Sequence, residues 1–402
     1  MNDAQFAELA AWIAAVGLAG EGEPEMVAGF CTRAVARGLP LARGSVLIDT
    51  LHPHYEGHAV NWQAADGKTT LREYGFSSQG EAAERWQRSP FYRMVQTGEP
   101  LLRRRVNAES QAEFPVIADL AAGMTDFVAM VHRFAAQGIF GEMDSIYSSW
   151  ATDLPDGFGD ADIADLERLV PLLALAVKSA SLTRIARTLV ETYLGRDPGR
   201  RVLAGGIVRG VADRIESVLW FSDLRGYTRI TDTSPPEQVI PLLNDYADAI
   251  ISAIHAHGGD VLKLIGDGTL AIFTSADREQ ACRQALAAAR EARRSLTELN
   301  PRRGADGLPT TDMYLALHFG TVFYGNIGSK ERLDFTVIGP AVNEVSRIAT
   351  LCRSIEQPIL LSATFAAAAG KAKDRLVSVG RYALRGVSHP QELFTLDPTS
   401  RE

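Results

Sequence analysis

Two aspartates stand at the ends of predicted strands, where they could share a metal ion. Asp223 closes the apolar segment 217–223, and Asp267 lies in a Gly-Asp-Gly turn between predicted strands 260–265 and 269–274. If these strands are neighbours, both carboxylates reach one end of the sheet and repel each other unless cations lie between them. Mg²⁺ takes one or two carboxylates plus substrate phosphates, and two such ions can activate an attacking oxygen and stabilise a leaving one. Alternatively, Asp267 only forms the turn and Asp223 caps the next one.

Three further side chains have types suited to a nucleotide. Lys263 interrupts an apolar strand, where it either faces solvent or donates a proton to a ring nitrogen of a base. Asn343 and Arg347 are spaced i, i+4 and therefore share one helix face. An amide beside a guanidinium suits a ribose and a phosphate, although a solvated helix face has the same pattern.

The segment after Asp223 runs from a strand end into a glycine-containing turn. Gly226, Tyr227 and Thr228 offer backbone N–H groups that can cradle phosphates. The chain contains no GxxxxGK[ST] sequence, so this is not a Walker loop.

Composition limits the class of protein. The 402 residues predict two domains and a connector, and the net charge of −8 argues against non-specific nucleic-acid binding. The three cysteines, Cys31, Cys282 and Cys352, are far apart, which predicts neither a disulfide framework nor a zinc site. The N-terminus lacks a basic start, and the apolar runs are too short to span a bilayer. We therefore expect a cytoplasmic protein with no transmembrane segment.

The N-terminal part, residues 1–182, is predicted to be an α+β domain. Its predicted helices are 1–20, 24–37, 89–97 and one from Asp160 through Val177, and its predicted strands are 44–50, 58–62, 69–76, 126–134 and 146–152. Residues 24–182 resemble a GAF sensor domain in Ser89-Pro90-Phe91, Thr97-Gly98-Glu99-Pro100, Ser149-Trp150-Ala151 and Gly157-Phe158. The small molecule or protein signal that this domain senses is not readable from the sequence.

Four N-terminal side chains have a possible role in ligand binding. His52, His54 and His58 cluster at one predicted strand, which suits either a metal or haem ligand set or ordinary hydrogen-bonded histidines. Cys31 is a weaker candidate for attachment of a chromophore.

Residues 183–212 form the predicted connector. Leu182, Ile185, Leu189 and Tyr193 give a helical apolar stripe, and Gly195, Pro198 and Gly199 are predicted to stop it. The segment is either a simple linker or a dimer-forming helix that passes a signal onward.

Residues 213–397 have a ferredoxin-like order of elements. A strand, a helix at 235–257, the hairpin that holds Asp267, a helix at 278–299, a second hairpin of 313–319 with 322–327, a strand at 335–338 and a helix at 341–351 follow one another.

These segments resemble the class III adenylate/guanylate cyclase catalytic domain. The matching stretches are Phe221-Ser222-Asp223-Leu224-Arg225-Gly226-Tyr227-Thr228, Lys263-Leu264-Ile265-Gly266-Asp267-Gly268, and Phe335-Thr336-Val337-Ile338-Gly339 continuing to Val342-Asn343 and Ser346-Arg347. Three motifs in register are much more specific than any one of them.

The resemblance implies a role for each matching residue. Asp223, Asp267 and the carbonyl of Leu224 match the metal ligands, for two Mg²⁺ or Mn²⁺ ions per site. Lys263 and Thr336 match the pair that reads the base, and a lysine there suits adenine. Asn343 and Arg347 match the transition-state pair. The triphosphate-binding lysine of the family is replaced by Arg385, within Ala383-Leu384-Arg385-Gly386.

The resemblance therefore implies an adenylate cyclase that acts as a homodimer. In the family the metal aspartates come from one subunit and the base and transition-state residues from the other, and this chain retains both sets. Many bacterial members have Asp where this chain has Thr336. The Thr form resembles a bacterial subgroup, some of whose members respond to bicarbonate, and it implies a looser base selectivity. The alternatives are a cyclase for GTP or a pyrimidine nucleotide, and a catalytically silent module. A diguanylate cyclase is set aside because no GG[DE]EF sequence occurs.

Overall fold

The computed structural model describes residues 1–78, 80–120, 123–134, 144–385, 387 and 389–397. The chain divides into two compact units, Met1–Leu189 and Val190–Glu402. Each unit is an α+β structure, as the sequence predicts.

The first unit is built on a six-stranded antiparallel sheet. Its elements in chain order are α1 (Asp3–Ala19), α2 (Glu23–Ala36), β1 (Arg43–Asp49), β2 (Gly57–Gln63), β3 (Thr69–Tyr74), α3 (Gly80–Gln87), α4 (Pro90–Thr97), β4 (Leu101–Arg105), α5 (Ala108–Glu113), α6 (Pro115–Ala118), β5 (Asp126–Arg133), β6 (Ser145–Thr152) and α7 (Asp160–Leu194). The strand order is β3-β2-β1-β6-β5-β4.

Two apolar clusters form the core of this unit. Leu9 of α1, Phe30 of α2 and Leu169 of α7 pack in one cluster with Trp150 of β6. The shorter helices contribute to the second cluster, which includes Phe91 and Ile117. Both boundaries of helix α4 lie where the sequence predicts. At its start Ser89 accepts a hydrogen bond from the Tyr92 N–H, and at its end Gly98 adopts φ +78°. Membership of the GAF family stays a prediction.

The N-terminal histidines do not form one cluster. His58 is fully buried, with Nδ1 3.0 Å from Nη2 of Arg184 and Nε2 3.6 Å from Oε2 of Glu23. His54 is exposed and stacks edge-on against His52. Within the described part of the chain, no group of three or more His, Cys, Asp or Glu residues is placed to hold a metal ion. Cys31 is buried.

Helix α7 is longer than the sequence predicts, because it continues to Leu194. Its length and composition would allow it to cross a membrane, and it is the one helix of the described residues of which this is true. That indication is weak, because Leu166, Leu169 and Leu173 of the same stretch are buried in the first unit, as in a core helix.

The predicted end of the connector helix is partly wrong. Gly195 does stop α7 and adopts φ +92°. The chain then enters α8 (Arg196–Leu203), with Pro198 and Gly199 inside it rather than ending it. Pro198 falls in the first turn, where a missing N–H costs nothing.

The second unit is built on an eight-stranded sheet. Its remaining elements in chain order are β7 (Ala212–Leu224), α9 (Tyr227–Thr233), α10 (Pro236–Ala256), β8 (Asp260–Ile265), β9 (Gly268–Phe273), α11 (Arg278–Ala305), β10 (Met313–Gly328), β11 (Leu333–Ile338), α12 (Pro340–Ser354), β12 (Ile359–Ser362), α13 (Ala363–Ala368), a 3₁₀ helix (Gly370–Arg375), β13 (Leu376–Tyr382) and β14 (Gln391–Leu396). The strand order is β13-β14-β12-β10-β7-β9-β8, with β11 paired to β10.

Apolar side chains cover both faces of this sheet. Helices α10 and α11 pack on one face through residues such as Tyr246 and Leu286. Helix α12 packs on the other face through Val345 and Ile348. Strand β7 lies inside the sheet, between β9 and β10, so Asp223 sits at the end of a strand that is paired on both sides.

The predicted second hairpin is wrong. Residues 313–328 form one continuous strand, β10, which pairs with β7 from Met313 to Gly325. The hairpin is instead formed by β10 and β11. Gly320, which falls between the two predicted strands, serves close packing: a Cβ there would lie 2.7 Å from the Cβ of Ala341 on α12.

Candidate active site

Asp223 and Asp267 meet at one end of the sheet. Ser222 of β7 pairs with Thr269 of β9, and Asp267 occupies the two-residue turn between β8 and β9. The carboxylate of Asp267 accepts a hydrogen bond from the Leu224 N–H at 3.1 Å. The two carboxylates are therefore adjacent, as the sequence predicts.

The charges and hydrogen bonds of this pair fit a divalent cation. Burial raises the pKa of Asp223 above its usual value; Arg353 opposes this shift, and the neighbouring charge of Asp267 adds to it. The Oδ1 atom of Asp223 is buried and has no hydrogen-bond partner among the described residues. A buried carboxylate oxygen of this kind has an unmet need for a donor or a cation, so Asp223 and Asp267 suit a metal that takes its other ligands from substrate and water.

The segment that follows Asp223 borders an open cleft of about 890 Å³. Gly226 adopts φ +68°, a left-handed conformation that favours glycine. The Arg225 N–H donates to the Asp312 carbonyl at 2.7 Å, which fixes the turn. The lining includes four predicted site residues of this segment and the two charged neighbours of Asp223: Leu224, Gly226, Tyr227, Thr228, Asp267 and Arg353.

Arg353 was not predicted as a site residue. It lies in the last turn of α12, and its Nη2 donates to Oδ2 of Asp223 at 2.6 Å. No spacing in the sequence points to it, because it is six residues after Arg347 and so on another face of the helix.

Lys263 and Thr336 lie on two different strands. These strands are joined by Asp334, which was not predicted as a site residue. The ammonium of Lys263 on β8 donates to the carboxylate of Asp334 on β11. Asp334 and Thr336 are two residues apart on one strand, so they share a face. The alternation of β11 is a signal that could have revealed Asp334.

Asn343 and Arg347 lie on α12, as predicted, with Asn343 exposed and Arg347 partly buried. Glu344 lies beside them, with Oε1 3.8 Å from Nδ1 of His318 on β10; burial raises its pKa, and the charge of Arg347 opposes that shift. Arg385 is exposed between β13 and β14, and the adjoining Gly386 lies outside the described residues.

The structure does not bring all predicted site residues together in one chain. Lys263 lies on β8 opposite Leu270 of β9, whereas Asp267 lies in the turn beyond the end of that strand. Asn343 is ten residues before Arg353 along α12, or about 15 Å away. The described lining of the cleft includes none of Lys263, Thr336, Asn343, Arg347 and Arg385. The metal set and the base and transition-state set are thus separate.

Comparison with known proteins identifies this region. Residues 211–398 match the model of the family described as the adenylate and guanylate cyclase catalytic domain. The second unit is therefore a class III adenylate/guanylate cyclase catalytic domain.

Similar proteins include cyclases of both base specificities. An adenylate cyclase of Anabaena cylindrica is 33% identical over 153 residues, covering 38% of this chain and 30% of that protein. Adenylate cyclase 1 of Rhizobium meliloti (strain 1021) is 28% identical over 256 residues, covering 59% of this chain and 38% of that protein. The solved guanylyl cyclase Cya2 is 31% identical with a TM-score of 0.41, covering 46% of this chain and 93% of that one. The chain thus spans about a third of the length of the two adenylate cyclases.

Proposed function

We propose that this protein converts ATP to 3′,5′-cyclic AMP and pyrophosphate, in a site shared by two copies of the chain. The observation that carries the proposal is the closeness of Asp223 and Asp267 beside the cleft, where the buried Oδ1 of Asp223 has no hydrogen-bond partner among the described residues. The family match and the two adenylate cyclase relatives support a cyclase.

The reaction is an in-line displacement at the α-phosphorus. The ribose 3′-oxygen forms a bond to that phosphorus, its proton leaves to solvent, and the bond to the β-phosphate oxygen breaks, which releases pyrophosphate. Divalent ions, when bound, supply charge that activates the attacking hydroxyl and stabilises the leaving group. Asp223, Asp267 and the Leu224 carbonyl are the residues that would hold them.

The other residues position the nucleotide and stabilise charge. Lys263 donates to a ring nitrogen of adenine and Thr336 accepts from the adenine amine, with Asp334 orienting the lysine. Asn343 orients the ribose, and Arg347 stabilises charge on the phosphoryl group under attack. Arg385 and the Gly226–Thr228 backbone bind the phosphates.

A homodimer explains why the two sets are separate. Two copies related by a two-fold axis would place the aspartates of each beside the base and transition-state residues of the other. The strands that carry Lys263 and Thr336 also expose large apolar side chains that a second copy would cover: Leu264, Ile265, Leu333 and Ile338, together with Phe323 of β10. Regulation by the N-terminal unit would then act on how the two catalytic units meet.

The test is product analysis with purified protein. We expect cyclic AMP from ATP with Mg²⁺ or Mn²⁺, far less product from GTP, CTP or UTP, and none from the Asp223→Ala variant, each identified by mass. A different cyclic nucleotide as the main product would overturn the roles of Lys263 and Thr336. If every nucleotide and both metals give no product, and residues 190–402 alone also give none, the chain is a silent module.

A further inference from the structure

Arg353 holds the carboxylate that the proposed metal site needs. Its Nη2 lies 2.6 Å from Oδ2 of Asp223. The side chain of Asp223 is only 17% exposed, whereas that of Arg353 is 60% exposed. The acid is thus fixed at the end of β7, while the guanidinium reaches it from the surface and has room to leave.

The two cations compete for one acid. A partly buried carboxylate is costly without a counter-charge, and Arg353 supplies that charge when no metal is present. A guanidinium at Oδ2 and a divalent ion at Oδ1 would share one carboxylate group, where their like charges repel each other. Ion binding to Asp223 and Asp267 therefore weakens the contact between Arg353 and Asp223.

Once Arg353 leaves Asp223, its guanidinium can bind the phosphates of the nucleotide. It lines the same cleft as Asp267, Gly226 and Thr228, where the proposed function places the phosphates of the nucleotide. The planar guanidinium with its five N–H donors matches phosphate oxygens in a bidentate fashion.

We propose that Arg353 exchanges partners during nucleotide binding: it neutralises Asp223 in the metal-free protein and binds the polyphosphate once a divalent cation takes that carboxylate. This inference rests on the proposed function, since it assigns the cleft to a nucleoside triphosphate. It makes Arg353 a substrate-binding residue that also limits metal affinity.

Partner exchange predicts changes of opposite sign in two affinities. Arg353→Gln and Arg353→Met both remove the charge. Without nucleotide, each should bind Mn²⁺ about three- to fivefold more tightly, the value of a partly exposed ion pair. With saturating Mn²⁺, each should bind α,β-methylene-ATP about tenfold more weakly, because a charge-assisted contact to phosphate is lost. Mn²⁺ binding is followed by electron paramagnetic resonance of the free ion, and nucleotide binding by calorimetry, both on the full chain.

Arg294→Gln is the matched control. Arg294 is 64% exposed and pairs with Glu291 at 2.6 Å on α11, so its loss changes net charge equally and should change neither affinity. Tighter Mn²⁺ binding together with weaker nucleotide binding in both Arg353 variants supports the proposal, and any other combination in folded protein overturns it. Mn²⁺ binding by the unaltered chain that Asp223→Asn leaves unchanged would instead refute the proposed metal site itself.

Discussion

The carboxylates of Asp223 and Asp267 repel each other in the metal-free protein. This repulsion adds to the effect of burial in raising the pKa of Asp223, and a carboxyl whose folded pKa is raised destabilises the fold at neutral pH. The arrangement therefore lowers stability at the proposed cation site, and a single substitution should separate the two properties.

We expect Asp267→Asn to stabilise the protein while abolishing activity. The amide oxygen still accepts the Leu224 N–H, and removal of one like charge should raise the free energy of unfolding by about 0.5 kcal/mol at pH 7 in EDTA. Cyclic AMP production should fall by about a thousandfold or more, as expected when a group that stabilises transition-state charge is lost. Thermal melts and product assays measure the two effects. Asp248→Asn, at an exposed position of α10, should change neither, and a less stable Asp267→Asn protein would contradict the argument.

Most residues of the proposed site were predicted from the sequence, but their local partners were not. Asp223 and Asp267 were predicted because strand ends and tight turns have short-range signals. Arg353 was not, because its contact with Asp223 joins residues 130 positions apart and depends on how α12 packs on the sheet. Asp334 could have been predicted, because side chains two residues apart on a strand share a face and Asp334 is two residues before Thr336.

At the scale of elements, α12 connects most of the proposed chemistry. It bears Asn343 and Arg347 near its start and Arg353 in its last turn, and it lies close against β10 at Gly320. The sequence predicted the helix but divided β10 in two at this glycine, since a glycine with a turn role and one with a packing role look alike in sequence.

Gly320→Ala should therefore reduce both stability and activity. The added Cβ would lie 2.7 Å from the Cβ of Ala341, and forcing the helix away from the strand should cost about 1–3 kcal/mol of unfolding free energy. Urea denaturation measures the loss. Gly304→Ala is the control, because a Cβ there meets nothing within 4 Å and alanine in a helix should be stabilising by about 0.5–1 kcal/mol. Equal effects of the two substitutions would show that α12 does not need the close approach.

A second element-scale prediction concerns Asp260 at the start of β8. Burial, and then the charge of Asp197 on α8, raise the pKa of Asp260. The Asp260 carboxyl therefore loses its proton at a lower pH in the unfolded chain than in the folded one. Protonated Asp260 stabilises the fold in acid, and this stabilisation is lost as pH rises through the two pKa values. Asp260→Asn should therefore raise the free energy of unfolding by about 0.5 kcal/mol at pH 7 and leave it unchanged near pH 3. Denaturant titrations at both pH values measure this; a gain of equal size at pH 3 would exclude the electrostatic cause.

At the scale of the whole molecule, the separation of the two residue sets predicts complementation between inactive variants. Asp267→Ala and Asn343→Ala should each be inactive. Mixed in equal amounts and allowed to exchange subunits, they should recover about a quarter of normal activity, because half the dimers are mixed and each has one intact site of two.

The control for complementation uses two variants of the same set. Asp223→Ala mixed with Asp267→Ala should stay inactive, since every site then lacks a metal ligand. Recovery in this control, or failure of the first pair with dimers present, would show that the sites are not shared.

The position of Asp223 on β7 has a consequence for how the protein fails on heating. Strand β7 is hydrogen-bonded on both sides, to β9 and β10, and its residues Trp220 and Ser222, which precede Asp223, are fully buried. Elements of this kind open only when the whole unit opens, and their amide protons exchange last. The acid of the proposed cation site is therefore held until the core itself melts, so that thermal inactivation through this residue should coincide with the calorimetric transition of the second unit rather than precede it.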